Sequence, residues 1–336
     1  KAFWEKVYEP FIRSAAGLGA LSGEADPDVY DKGFLHCDVL VIGSGPAGLS
    51  AALAAGRAGA QVLLCDEDSV FGGRLNAETF EVSGMPGAEW AQSAVAELES
   101  MDNVKVMNRT TVYGAFDHGI YGALEKKTDH LRSANGKPRQ IAWKIYSQRA
   151  ILCAGATERS IAFGNNDRPG VMLAGSVRAY ANRWAVAAGQ RVAVFTNNDN
   201  GHRTARDLAA LGVDVVGVVD SRPSAPALGD YPLFTGAQVI NTTGKLGLTG
   251  VTLRRADGGT EHLSCAALGV SGGWNPNVSL TCHQRGRPVW DDHIASFVPG
   301  GNLPQGMHVA GAAAGSFSTA AALKSGIDSA VAALDT

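Results

Sequence analysis

The chain runs to 336 residues, enough for about two domains with full-sized cores, and its 29 basic and 32 acidic side chains leave a net charge of −3. That balance gives no basic excess for nucleic acid or anionic lipid, and no stretch stays apolar for long enough to span a bilayer. The 42 glycines follow no collagen period, so this excess over the usual share of roughly 7% belongs to turns and close backbone approaches.

In chain order, Phe3, Trp4, Val7, Tyr8, Phe11 and Ile12 come first, in pairs four apart. They predict a short helix with one apolar stripe, kinked at Pro10. The stripe packs either on its own domain or on a missing segment or partner. Residues 1–35 are read as an N-terminal helix and linker.

The first strong unit starts at His36. Residues 38–42 form a buried-strand run, followed by Gly43-Ser44-Gly45-Pro46-Ala47-Gly48, a helix of small residues closed near Gly59, and a second strand over residues 61–65 that ends in Asp66-Glu67-Asp68. Strand, glycine turn, helix, strand and acid in that order predict a nucleotide-binding βαβ unit. Gly43 permits the tight turn, Gly45 lets backbone approach a pyrophosphate, and Gly48 lets the helix pack against the strand. The helix tip at Pro46 and Ala47 offers backbone N–H groups and a positive dipole end. Asp66, 23 residues beyond Gly43, falls where a carboxylate accepts from a ribose 2′-OH. Glu67 and Asp68 would repel a 2′-phosphate, which favours NAD, FAD or ADP over NADP. Next, Gly72, Gly73 and Arg74 read as further donors and a counter-charge for the same pyrophosphate; the bland alternative is a glycine turn with a surface arginine.

Residues 104–115, 120–125 and 140–148 alternate and are parted by Asp117-His118-Gly119 and Asn135-Gly136, which predicts an antiparallel meander. A core strand over residues 150–154 follows, ending at Gly155. A second βαβ unit spans residues 191–220, with a strand at 192–195, a helix at 201–211 and a strand at 213–219. Aligned on the first turn, it has Thr196, Asn198 and Gly201 where the three glycines would fall, so a structural unit without nucleotide is expected. More strands are predicted over 237–255 and 266–270, then a strand at 307–310 and a final helix at 319–334. The fold class expected is α/β: two Rossmann-like dinucleotide-binding domains of the FAD/NAD-linked reductase type, the second inserted in the first, with a β-meander. The first domain takes residues 36–165 plus 265–336, and the degenerate one residues 166–264.

Five scattered cysteines without a C-x-x-C argue against a disulfide framework, an iron–sulfur cluster and a redox dithiol, and fit a reduced cytoplasm. Cys282-His283 with His293 has metal-ligand residue types but not metal-ligand spacing. No nucleophile elbow occurs, so hydrolase readings fail. Trp274 and Trp290 flank a loop that is either core packing or a subunit- or flavin-contact surface.

Several runs carry a family resemblance: residues 34–48, the turn Phe195-Thr196-Asn197-Asn198-Asp199, Asn166-Asp167-Arg168-Pro169-Gly170-Val171-Met172, Val270-Ser271-Gly272-Gly273-Trp274-Asn275-Pro276 and Gly311-Ala312-Ala313-Ala314-Gly315. Together they resemble the alpha subunit of heterotetrameric sarcosine oxidase over essentially the whole chain. The resemblance implies NAD held where related flavoenzymes hold FAD, with FMN at the interface with a beta subunit and FAD within that beta subunit. It also implies beta, gamma and delta partners, and a complex that oxidises sarcosine to glycine, passes the methyl carbon to tetrahydrofolate and reduces oxygen to hydrogen peroxide. Family members carry further domains on both sides, so the chain, which opens on Lys1, is expected to be a central fragment without the amine-oxidising site. FAD-binding relatives end in Gly-Asp, where this chain has Gly311-Ala312, which favours NAD. Ala154 and Gly155 match an Ala-Thr-Gly turn near the nucleotide, and Val112 the place where relatives contact adenine. An alpha subunit of a related opine or amine dehydrogenase complex, and a stand-alone NADH-dependent flavoprotein reductase, remain as alternatives.

Overall fold

The structure is a computed structural model that describes residues 2–19 and 23–335. The apolar run 38–42 can be fully buried only as a strand with neighbours on both sides, and it becomes the end of a 13-residue strand, Tyr30–Ile42. Val62–Cys65 lies parallel on one side of it, followed by Val104–Met107, and Gln140–Leu152 lies parallel on the other. Ile120–Lys126 and Thr110–Phe116 continue antiparallel from the first half of Gln140–Leu152, while Met307–Val309 pairs parallel with its last residues. These strands form one seven-stranded sheet.

Helices Pro46–Arg57, Gly87–Glu99 and Thr319–Leu334 cover one face, around a core that includes Val41, Leu49, Leu64, Leu75 and Leu98. Small residues let the first and last of these helices touch: a Cβ at Gly326 would lie 2.1 Å from the Ala47 carbonyl oxygen. The meander curls over the other face, where Val112, Tyr121 and Ala123 pack with Leu40, Ile42 and Leu63. Each fully buried leucine here contributes about 2 kcal/mol.

A second, all-parallel sheet runs in the order Val171–Leu173, Ala267–Ser271, Arg191–Thr196, Asp214–Asp220, Leu233–Thr235. Helices Ala174–Trp184 and Asp199–Ala210 lie on one face, and a three-stranded antiparallel sheet, Gln238–Thr243, Gly250–Arg254 and Thr260–Leu263, packs on the other. Two short strands, Ala156–Glu158 and Trp274–Pro276, pair antiparallel where the chain leaves the first sheet and returns to it. The architecture is the expected α/β class, two Rossmann-like units with a meander, the second unit inserted in the first.

Four local expectations change. The predicted strand 104–115 breaks at Arg109, whose φ of +50° turns the chain, so that one piece joins the parallel sheet and the other the meander. Residues 140–148 and 150–154, predicted apart, give a single strand, Gln140–Leu152, because Arg149 stays in register with Val39 and no turn intervenes. Ala267–Ser271 sits in the second sheet, hydrogen-bonded between two of its strands, so the return to the first sheet comes after residue 273 and not at 265. The N-terminal helix forms, as a π-turn Trp4–Tyr8 running into Glu9–Ala15 with Pro10 in its first turn, but every described residue from 2 to 19 is exposed. Its apolar stripe therefore does not pack on its own domain.

Four of the five thiols are buried, and burial raises Cys37 to about 11 and Cys153 to about 12. Cys282 is the partly exposed one. Native protein at pH 8 should label fast with a thiol reagent at Cys282 and slowly at the other four, because the thiolate is the reacting form. Peptide mapping after a short exposure reads this out; early labelling of Cys153 would contradict the packing.

Candidate dinucleotide site

A cleft of about 610 Å³ opens at the carboxyl end of the first sheet. Its floor is the first turn. Gly43 takes φ +99°, and a Cβ there would lie 2.4 Å from the Cys153 carbonyl oxygen. A Cβ at Gly48 would come within 1.8 Å of the Gly43 carbonyl oxygen, which is why the helix can start so close to the strand. Gly45 differs, since a Cβ on it would meet nothing within 4 Å and would project into open space. Gly45 is also the N-cap of Pro46–Arg57, and no side chain caps that helix. The first-turn N–H groups therefore face the cleft without a side-chain acceptor, next to a backbone that a phosphate can approach.

Of the residues picked out in the sequence, Gly43, Ser44, Gly45, Pro46, Ala47, Asp66, Glu67, Gly73, Arg74, Val112, Ala154 and Gly155 line this cleft. Gly48, Gly72 and Gly311 stand behind the wall. Gly72 donates its N–H to the Ser44 carbonyl, and Gly311 packs against Ala47 while its neighbour Ala312 lines the cleft.

The three acids make different contacts. Asp66 accepts from the Ser44 N–H and hydroxyl, each at 2.6 Å, and from the Asp68 N–H at 2.8 Å. Its carboxylate thus ties the glycine turn to the second strand. Asp68 is bridged by Arg183 of the second unit at 2.7 and 3.1 Å. Burial pushes its pKa up, but the bonds and charge of Arg183 more than offset this and hold it below the ordinary value. Glu67, between them, lines the cleft with no such hydrogen bond.

Sequence reasoning missed part of the wall, Thr110, Thr111 and Tyr113 on the meander and Asn277 and residues 316–319 on the returning chain, and left Trp274, which also lines it, between core packing and a contact surface. The Trp274 ring lies under Arg74, 5.4 Å from its guanidinium carbon. Asn277 donates to the Ala154 carbonyl at 2.8 Å and so fixes the far rim. The signal for Trp274 was present as an aromatic beside a glycine pair, but sequence alone did not bring it next to Arg74.

The second unit's turn is filled by its own side chains. Asn198 caps helix Asp199–Ala210 by accepting from the Asn200 N–H at 2.9 Å, and Thr196 closes on the backbone of Asn198 at 2.9 and 3.1 Å. Asp220, which matches the acid after the first unit's second strand, is bonded to His202 and Arg222, each at 2.7 Å. The donors and the acid that a nucleotide would use are already spent. Among the described residues no three or more His, Cys, Asp or Glu side chains gather as a metal site, and no helix is long and apolar enough to cross a membrane.

Gly45→Ala should leave stability within about 0.5 kcal/mol, because its Cβ meets only open space. Gly48→Ala should cost about 3 kcal/mol through collision with the Gly43 backbone. Urea unfolding of the two variants compares them directly. Equal costs would contradict the assignment of one glycine to the cleft and the other to packing.

Comparison with known proteins finds similar chains. Residues 38–124 match the profile of a family described as FAD dependent oxidoreductase. The chain is 47% identical over 326 residues to sarcosine oxidase subunit alpha of Rhizobium meliloti (strain 1021), covering 96% of this chain and 33% of that protein. Sarcosine oxidase subunit alpha of Corynebacterium sp. (strain P-1) is 40% identical over 326 residues, covering 92% and 34%. In fold, the chain is similar to L-proline dehydrogenase from P. horikoshii, with a TM-score of 0.72 and 21% identity over 94% of this chain and 58% of that one. The chain thus spans about a third of the length of the curated relatives it matches. Over that span, it is similar to the sarcosine oxidase alpha subunits.

Proposed function

We propose that the chain holds a dinucleotide, NAD, in the first unit and serves as the NAD-binding part of a sarcosine-oxidase-type complex. The observation that carries this is the uncapped helix tip at Gly45–Pro46, which opens on a cleft with Arg74 on one side and Glu67 on the other. In this reading the diphosphate lies across Gly45, Ala47 and Gly73, and the adenine lies toward Val112. Glu67 accepts from the ribose hydroxyls and disfavours a 2′-phosphate. Asp66 acts one step back by holding the Ser44 turn. NAD, when bound, is chemically able to exchange a hydride, but here it is proposed as a held group rather than as the amine oxidant.

By likeness to the sarcosine oxidase subunits, the complex would oxidise sarcosine to glycine, with the methyl carbon passing to tetrahydrofolate and oxygen to hydrogen peroxide. Beta, gamma and delta subunits would be its partners, with FMN at the interface with beta and FAD inside beta. The cytoplasm would be its compartment.

FAD in the same cleft is the second reading, favoured by the match of residues 38–124 to a FAD dependent oxidoreductase profile. Ala312 weighs against it, since it lines the cleft with a methyl group where a flavin-holding carboxylate is expected. Heat-denaturing the purified protein and identifying the released nucleotide by mass spectrometry separates the two. NAD is the expected product, and stoichiometric FAD would overturn the assignment. Glu67→Gln should weaken NAD binding by about 1.5–3 kcal/mol through the lost charge-assisted hydrogen bonds. Titration calorimetry showing unchanged affinity would remove Glu67 from the ribose site.

A further inference from the structure

Arg74 meets the cleft with a carboxylate already attached. Its Nε donates to Glu78 Oε1 at 2.5 Å, and Nη2 pairs with the same oxygen. Nη1 donates to the Phe317 carbonyl at 3.2 Å, and the guanidinium rests on Trp274. The Glu78 side chain is 1% exposed, so its charge is poorly screened. Paired with Arg74 alone, it would cancel most of the positive potential that a diphosphate is to meet.

A second arginine alters that balance. Arg178, on helix Ala174–Trp184 of the inserted unit, stands 3.6 Å from the same Glu78 oxygen with its side chain 5% exposed. It donates to Asn200 Oδ1 at 3.2 Å, while its buried Nε has no hydrogen-bond partner. Burial pulls its pKa below the ordinary arginine value, and Glu78 pulls it back up. Hydrogen bonding alone does not account for so costly a placement, because a buried unpaired N–H is itself unfavourable. Its charge does account for it. Asp207 and Glu158 also act on Arg178, each less strongly than Glu78; of the three closest charges, Arg74, Glu78 and Arg178, which together carry one net positive charge, Arg74 is the member that lines the cleft.

We infer that Arg178 is a positioning residue for the dinucleotide: it shares the charge of Glu78 and so leaves Arg74 positive toward the diphosphate. The inference rests on the dinucleotide reading above and extends it, since the unit whose own turn is filled would set the affinity of the other. Asn200, which holds Arg178, sits in the first turn of the very helix that Asn198 caps.

The test measures binding of two probes, NAD and adenosine, to the intact protein and to R178M, R178K and the double variant R178M/E78Q. R178M should weaken NAD roughly tenfold, as expected for losing one nearby charge at an effective dielectric constant of about 20, and leave adenosine within about twofold. R178K should stay within about threefold of the unaltered protein, because it keeps the charge. Adding E78Q to R178M should recover most of the NAD affinity, because the uncompensated carboxylate is gone. R178Q, which keeps a donor for Asn200, gives the same comparison if R178M does not fold. Unchanged NAD affinity in R178M, or equal losses for NAD and adenosine, would overturn the inference. Absence of NAD binding by the unaltered protein would remove the dinucleotide reading and this inference with it.

Discussion

Backbone N–H groups at the start of helix Pro46–Arg57 must find acceptors, and no side chain supplies one. Much of the first unit follows from that. Gly43 and Gly48 exist to bring the helix tip against the strand end, since side chains at either would strike backbone at 2.4 and 1.8 Å. Asp66 ties the turn to the second strand through Ser44, which keeps the tip rigid. Helix Thr319–Leu334 packs so closely on the first helix that the tip cannot tilt away. An open place for an anion is thereby prepared before any ligand arrives, which lowers the ordering cost of binding.

The inserted unit is built on the same plan and reaches the opposite electrostatic result. Asn198 supplies the acceptor that Gly45 lacks, and Thr196 takes up the Asn198 N–H. His202 and Arg222 consume Asp220. Among the contacts by which it reaches the first unit are Arg183 on Asp68 and Arg178 on Glu78, both from helix Ala174–Trp184. A duplicated fold has thus become a brace, with its charges spent on the neighbouring unit rather than on a ligand of its own.

The first βαβ unit was legible because each of its requirements is local: a strand run, glycines at fixed spacing, a helix of small residues and an acid. The departure of the second unit's turn from the glycine pattern was legible for the same reason, at Thr196 and Asn198. What sequence could not supply was anything that depends on side-chain direction or long-range approach. It singled out Asp66 by distance along the chain and could not show that Ser44 bonds the Asp66 carboxylate while both Asp66 and Glu67 line the cleft. It placed strand Ala267–Ser271 with the tail, although two strands far from it in sequence, Val171–Leu173 and Arg191–Thr196, pair on either side of it. It also gave no means of seeing that Trp274, two hundred residues from Arg74, lies beneath it. The exposed stripe Phe3, Trp4, Val7, Tyr8, Phe11 and Ile12 was readable as amphipathic, but its surroundings were not.

Diffraction from crystals soaked in NAD examines the central contrast most directly. The account predicts difference density for a diphosphate over Gly45 and Ala47, within hydrogen-bond reach of the first-turn amides, and none at the bend from Thr196 to Gly201. Density at that second bend with an empty first cleft would contradict it.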